Sequence, residues 1–256
     1  MSTINWIGLY TFIRREILRI SRVVVQTILS PLISATLYIF IFGHVVGSKI
    51  DLIAGVKYIT FVFPGILMLN IIASSFAHSS SSVYFGRFIK SIEEVLVAPF
   101  SYFEIVFGYA FSAVLRSVIV AFGIVLIGIL FGAVTMHAPL LFLFYVVSIS
   151  TIFALVGILV GLWANNFEQL SVLNTFVITP FTYLGGIFYS ITMLPHTAAL
   201  ITQFNPFFYF VDGIRYSMIG FSEANTSIGL LVIFSLIFGL GGLTIYLFKI
   251  GWRIRA

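Results

Sequence analysis

The chain has no cysteine and almost no charge. Without cysteine it can form no disulfide, thiol nucleophile or thiolate metal site. Charged residues make up 8% of the sequence, against about 25% in an average globular protein. A soluble fold of 256 residues could not cover its surface with so little charge, and 61% of this chain is hydrophobic. That balance excludes soluble enzymes, nucleic-acid binders and secreted disulfide scaffolds. The net charge of +5 then reads as a report on membrane orientation, not as a nucleic-acid partner. Catalytic patterns are missing as well. The histidines His44, His78, His137 and His196 stand singly, as loop or interface residues, and no His-Glu-x-x-His occurs. There is no G-x-S-x-G elbow, and Gly47-Ser48-Lys49 lacks the frame of a phosphate loop. The chain cannot hydrolyse a nucleotide by that route. It holds no metal site or cofactor site of its own, and no repeat or linker divides it.

What remains is a polytopic, all-α membrane protein. Residues 1–22 do not have the layout of a signal peptide. Trp6, Tyr10, Ile13, Ile17 and Ile20 share one helical face at 100° per residue, with Arg15, Arg19 and Arg22 opposite. That pattern suits an amphipathic helix lying in the headgroup layer; the plainer reading is a cytoplasmic cap on the first span. Apolar runs follow at Val23–Phe42, Tyr58–Ala77, Ile105–Gly132, Leu140–Trp163, Leu170–Phe188 and Ile228–Phe248. Each is long enough to cross the hydrocarbon. A seventh stretch, Thr192–Val211, contains Pro195, His196, Gln203, Asn205 and Pro206. Those groups would go unpaired in lipid, so it reads as half-helices that enter and return. With six spans and the N-terminus inside, Arg14, Arg15, Arg19, Arg22, Arg87, Lys90, Lys249, Arg253 and Arg255 are cytoplasmic. They are nine of the 13 basic residues. Lys49, Lys57 and Arg215 fall outside, as do Asp51 and Asp212. Basic clusters at both ends require an even span count.

The largest inside loop, about His78–Glu104, opens with Ser79, Ser80, Ser81 and Ser82. Farther on, Ser91 and Glu94 have capping-box spacing and Pro99 is placed as a stop, which predicts a short helix. Glu93 and Glu94 would offer charge to a cytoplasmic partner, and Ile92, Val95 and Leu96 an apolar grip. The alternative is a solvated turn. Arg116 sits deep in span three, where charge is costly. It should face the protein interior or a water-filled path and find a partner, either as part of that path or in a structural interhelix pair or snorkelling arrangement. Asn70, Asn174 and Thr175 read as interhelix hydrogen bonds. Gly128 and Gly132, and Gly157 and Gly161, are spaced for close helix contact. Tyr183, Phe188, Tyr189, Phe204, Phe207, Phe208 and Tyr209 form either an interface belt or an outer gate for amphiphilic cargo.

Four blocks carry a resemblance. They are Phe63-Pro64-Gly65, the run Ile92 to Pro99, the run Pro180 to Ser190, and Asn205-Pro206 followed by Gly213-Ile214-Arg215-Tyr216. In this order and spacing the chain resembles the permease subunits of ABC-2 type transporters, over essentially its whole length. It looks most like small bacterial inner-membrane permeases, and more distantly like nodulation-factor, polysaccharide and drug exporters. The resemblance implies an interfacial helix over residues 1–22 and a six-span domain over residues 23–256. A re-entrant helical hairpin would lie between spans five and six. It implies a homodimer in the bacterial inner membrane, surrounded by lipid, with both termini cytoplasmic. Two copies of a separate ABC ATPase would hold the ATP and Mg²⁺. Ser91, Ile92, Glu93, Glu94, Val95 and Leu96 would form the coupling helix, with Arg14, Arg15, Arg19 and Arg22 a second contact. Arg116, Asn70, Tyr183, Phe188, Tyr189, Asn205, Pro206 and Arg215 would belong to the path or gate. An amphiphilic or hydrophobic cargo is expected. The rival readings are an ion-coupled transporter, which would want carboxylates in the spans, a lipid-modifying membrane enzyme, which would want a nucleophile, and a non-transporting assembly protein.

Overall fold

The computed structural model describes residues 5–50, 52–53 and 55–254. Asp51, Arg255 and the side chain of His44 lie outside the described residues. Helix α1 (Trp6–Arg22) begins at Asn5, whose Oδ1 accepts from the Gly8 amide at 3.0 Å. It buries Leu9, Phe12, Glu16 and Ile20. The predicted apolar stripe lies roughly 75° further round the helix, and its Trp6 and Tyr10 are 69% and 66% exposed. The packed face therefore differs from the one that hydropathy selects, because a carboxylate with partners can be buried.

A helical run over Val25–Gly43 comes next. Its middle is α2 (Ser30–Phe40), and π-helical turns at Val25–Leu29 and Ile41–Val46 flank it. A two-strand hairpin, β1 (Leu52–Ile53) and β2 (Val56–Lys57), pairs Leu52 with Lys57 and turns at Gly55, whose φ is +76°. It leads into α3 (Tyr58–Phe88), the central helix of the bundle. At 1.5 Å per residue, 31 residues extend about 46 Å, well beyond a hydrocarbon core of about 30 Å.

The excess is the segment read from sequence as the start of a loop. His78 to Phe88 is helix, and Ser79, Ser80 and Ser82 are buried. The serine hydroxyls of Ser79, Ser80 and Ser81 return to carbonyls of their own helix, so none of these three hydroxyls is stranded. Their small size lets α3 approach α6 (Pro139–Trp163) closely. A Cβ at Gly161 would stand 2.7 Å from the Ser80 carbonyl oxygen, and one at Gly157 would collide with Ser79 Oγ. The predicted glycine pair is thus a packing surface. Gly132 is different: its φ of +63° serves a turn and nothing lies near it.

Helix α4 (Ser91–Val97) follows, with Ala98 extended before Pro99, as the residue before proline prefers. The predicted Ser91–Glu94 capping box is absent. Lys90, at φ +60°, holds the cap position and Ser91 is already helical. The box forms instead at α5 (Tyr102–Leu130), where Ser101 Oγ accepts from the Glu104 amide at 3.2 Å and Glu104 accepts back from Ser101.

Predicted span five is helical from Phe167 to Tyr183 in three consecutive pieces. They are α7 (Phe167–Leu173), a π-helical turn Asn174–Ile178, and α8 (Thr179–Tyr183). A short 3₁₀ turn at Ile191–Met193 leads to α9 (His196–Phe204) and α10 (Pro206–Ile219), and α11 (Thr226–Ile250) ends the bundle. Thr192–Val211 is accordingly broken at Asn205. Among the described residues, five helices are long and apolar enough to cross a membrane: Val25–Gly43, α3, α5, α6 and α11. Helices α3 and α6 are the most enclosed, whereas few residues of Val25–Gly43 and α11 are buried.

Candidate functional site

Two polar assemblies occupy opposite ends of α3. At its C-terminal end, α1 crosses α5, with the Phe12 ring 4.9 Å edge-on from Tyr109 and seated on Gly108. The Asn5 amide donates to Glu104 Oε1 at 2.8 Å, tying the start of α1 to the capping box of α5. Glu16 is buried and accepts from Ser82 Oγ of α3. Arg15 Nη2 lies 3.4 Å and Arg19 Nε 3.7 Å from its oxygens. Arg19 also donates to the His78 carbonyl at 3.2 Å. Burial lowers the Arg19 pKa below the usual arginine value, and the Glu16 charge opposes that shift. Sequence reasoning missed Glu16; the signal was an acid placed between Arg15 and Arg19 in a chain poor in acids.

Beside this group α4 turns Ile92 and Val95 into the chain's own core. Those two residues therefore cannot grip a partner, contrary to expectation. The outward face is Glu93, Glu94 and Val97, the last 88% exposed, while Ser91 and Leu96 are half-buried. Two more arginines gather at this end. Arg87 Nη1 donates to the Gly161 and Ala164 carbonyls, both at 3.0 Å, and Arg253 Nη1 to that of Trp163 at 2.5 Å. Cations at the last carbonyls of α6 complement its dipole. Arg14 and Arg22 are exposed.

At the other end Arg215 is fully buried. Its Nη1 pairs with Glu223 Oε2 at 3.3 Å and its Nη2 donates to the Gly186 carbonyl at 2.6 Å. Its guanidinium carbon stands 4.0 Å from the Phe61 ring centroid. Glu223 also accepts from the Ile191 amide at 3.1 Å and from Ser190 Oγ. Asp212 accepts from the Glu223 amide at 2.7 Å and the Ser222 hydroxyl at 2.7 Å. Asn205 caps α10 through the Phe207 amide at 3.0 Å and donates to the Phe181 carbonyl at 2.7 Å, with Pro206 at the first helical position. These contacts brace α10 against α3, the end of α8 and the approach to α11. Nothing in the sequence pattern singled out Glu223.

Along the C-terminal part of the first span, Tyr38 Oη lies 3.3 Å from Tyr183 Oη, and the Phe42 ring stacks 4.4 Å from Phe188. Sequence named Tyr183 and Phe188 but not their partners on α2 and its flanking turn. Tyr189 Oη donates to the Leu184 carbonyl at 2.9 Å. The structure does not bring Arg116 and Asn70 into this cluster. Asn70 donates to the Ile66 carbonyl of its own helix at 2.9 Å, so it is no interhelix bond. His78 is no loop residue; its Nε2 lies 3.2 Å from Ser112 Oγ in the interior. Arg116 is 9% exposed, its Nε has no hydrogen-bond partner, and no carboxylate pairs with it among the described residues. The expected partner is missing.

Residues 8–219 match the family described as ABC-2 type transporter. The chain is 36% identical over 240 residues to the inner membrane transport permease YadH of Escherichia coli K12, covering 93% of this chain and 94% of that protein. It is 26% identical over 238 residues to nodulation protein J of Rhizobium leguminosarum bv. viciae, covering 90% and 89%. It is also 25% identical over 258 residues to the putative transport permease ycf38 of Cyanophora paradoxa, covering 93% and 87%. With its long apolar helices and this match over most of its length, the chain belongs to the ABC-2 type transporter family of multi-pass inner-membrane transport permeases.

Proposed function

We propose that this chain is the membrane subunit of an ABC exporter. It works as two copies, with α4 as the element through which a separate ATPase drives it. The observation that carries the reading is the stance of α4. Its apolar side is anchored by Ile92 and Val95, and Glu93, Glu94 and Val97 project from the end of a 31-residue central helix. A knob fixed rigidly to α3 can transmit a push, whereas a loose loop would absorb it. The exposed apolar surfaces of Val25–Gly43 and of Phe176, Phe181 and Leu184 suit a seam between two copies. In this reading the run Phe167–Tyr183 is a sixth crossing, and α9 and α10 form a re-entrant hairpin. The end bearing α1, α4, Arg87, Lys249 and Arg253 is cytoplasmic. ATP and Mg²⁺ bind the partner ATPase, which closes and opens the seam through α4. An amphiphilic cargo then leaves past the Tyr38–Tyr183 and Phe42–Phe188 contacts. Work enters through contacts that differ between the two states.

The double substitution Glu93→Ala with Glu94→Ala tests this. Both side chains are exposed, so stability should change by less than about 0.5 kcal/mol. Stimulation of the partner ATPase and transport in reconstituted vesicles should be lost while membrane insertion is kept. Undiminished stimulation and transport would refute the assignment of α4.

A further inference from the structure

Between α1, the last turns of α3 and α4 lies an open cavity of about 420 Å³. Three cations, Arg15, Arg19 and Arg22, reach it from one helix, and the hydroxyl-bearing Ser82 and Ser91 face it from the other two. Its two carboxylates are not equivalent. Glu16 is occupied by Arg15, Arg19 and Ser82, whereas Glu94 stands exposed on the α4 side. Each guanidinium has five N–H donors, and one carboxylate shared between two of them leaves most of those donors over. Arg22 makes no ion pair or hydrogen bond among the described residues. The rest of the lining is apolar. Leu18, Phe85 and Ile89 are 47%, 42% and 65% exposed. A cavity with a cationic floor and an apolar rim fits a phosphate carried on an amphiphile better than a free polar anion. Arginine forks match phosphate oxygens in geometry as well as charge.

We propose that this cavity binds a phosphate group, that of an anionic phospholipid of the surrounding leaflet, held by Arg22 and Arg15 with Arg19 behind them. It rests on the reading of α1 as an interfacial element at the cytoplasmic end. Because α4 forms the far wall, a bound headgroup would link α1 to the coupling element and make ATPase coupling depend on lipid composition.

The full chain in nanodiscs of equal phosphatidylglycerol and phosphatidylcholine provides the test, with native mass spectrometry counting lipids retained on release. Phosphatidylglycerol should be retained preferentially. Arg22→Gln should reduce that retention about fivefold, and adding Arg15→Gln should reduce it further. Arg14→Gln, on the same helix but outside the cavity, should change it little. Retention that survives millimolar inorganic phosphate assigns the site to lipid. Displacement by phosphate keeps the phosphate site but gives it to a free anion. Equal retention of the two lipids, an unchanged double variant, or an equal loss with Arg14→Gln would overturn the proposal. No ATPase enters this readout, so failure of the coupling assignment would show only in the Glu93/Glu94 experiment.

Discussion

Two buried arginines of this chain have opposite surroundings. Arg215 is enclosed by a carboxylate, a backbone carbonyl and an aromatic face. Arg116 is nearly as inaccessible and has no carboxylate at all among the described residues. The Nε of each arginine has no hydrogen-bond partner, but the Nη groups of Arg215 meet a carboxylate and a carbonyl, and a charge so met is tolerable away from water and holds its partners in one arrangement. The Arg215 assembly therefore acts as a brace: it joins α10, the Gly186 turn, α3 and the segment before α11. Arg116 itself pairs with no carboxylate among the described residues, and at that depth α5 is tied to α3 through Ser117, whose hydroxyl donates to the Ile71 carbonyl at 3.3 Å, and through Ser112 beside His78.

The contrast can be broken most directly at Arg215. Replacing it with Met leaves Glu223 buried without its counter-ion, a change expected to cost about 3–5 kcal/mol. Thermal unfolding in detergent should show a large drop, partly recovered when Glu223→Leu is added. The matching Arg116→Met removes an unpaired charge, so the same measurement should show a change within about 1 kcal/mol, or a gain. If both variants lost equal stability, the distinction would fail. A smaller effect separates the two serines that share capping-box spacing. Ser101→Ala should cost about 1 kcal/mol because its hydroxyl holds the first turn of α5. Ser91→Ala should cost less than about 0.5 kcal/mol because Ser91 caps nothing.

The segments that sequence placed well are those governed by local chemistry. Helices α5, α6 and α11 lie within a few residues of the predicted spans, since hydropathy alone decides whether about 20 residues leave water. The break at Asn205-Pro206 is equally local: proline lacks the amide and asparagine supplies a cap. The failures have a common cause in distance along the chain. Ser79 to Ser82 look like a polar loop until Gly157 and Gly161, some 80 residues later, are seen against them. Ile92 and Val95 look available to a partner until the core beneath them is filled by Phe12 and Tyr109. Glu16 has Arg15 and Arg19 beside it on α1, but its burial depends on Ser82 of α3, and Glu223 meets Arg215 and the Ile191 amide from other elements.

By itself the sequence determined that this is a multi-pass membrane protein of the ABC-2 kind, with no machinery for nucleotide hydrolysis by the common phosphate loop. Apolar length and short motifs are properties of contiguous residues, and they can be read wherever the chain goes. Only the tertiary structure decided which charges are paired, which face of α1 is packed and which side of α4 is left outward. Those outcomes depend on the low-dielectric interior formed when remote helices meet, where a single partner decides whether a buried charge is stable.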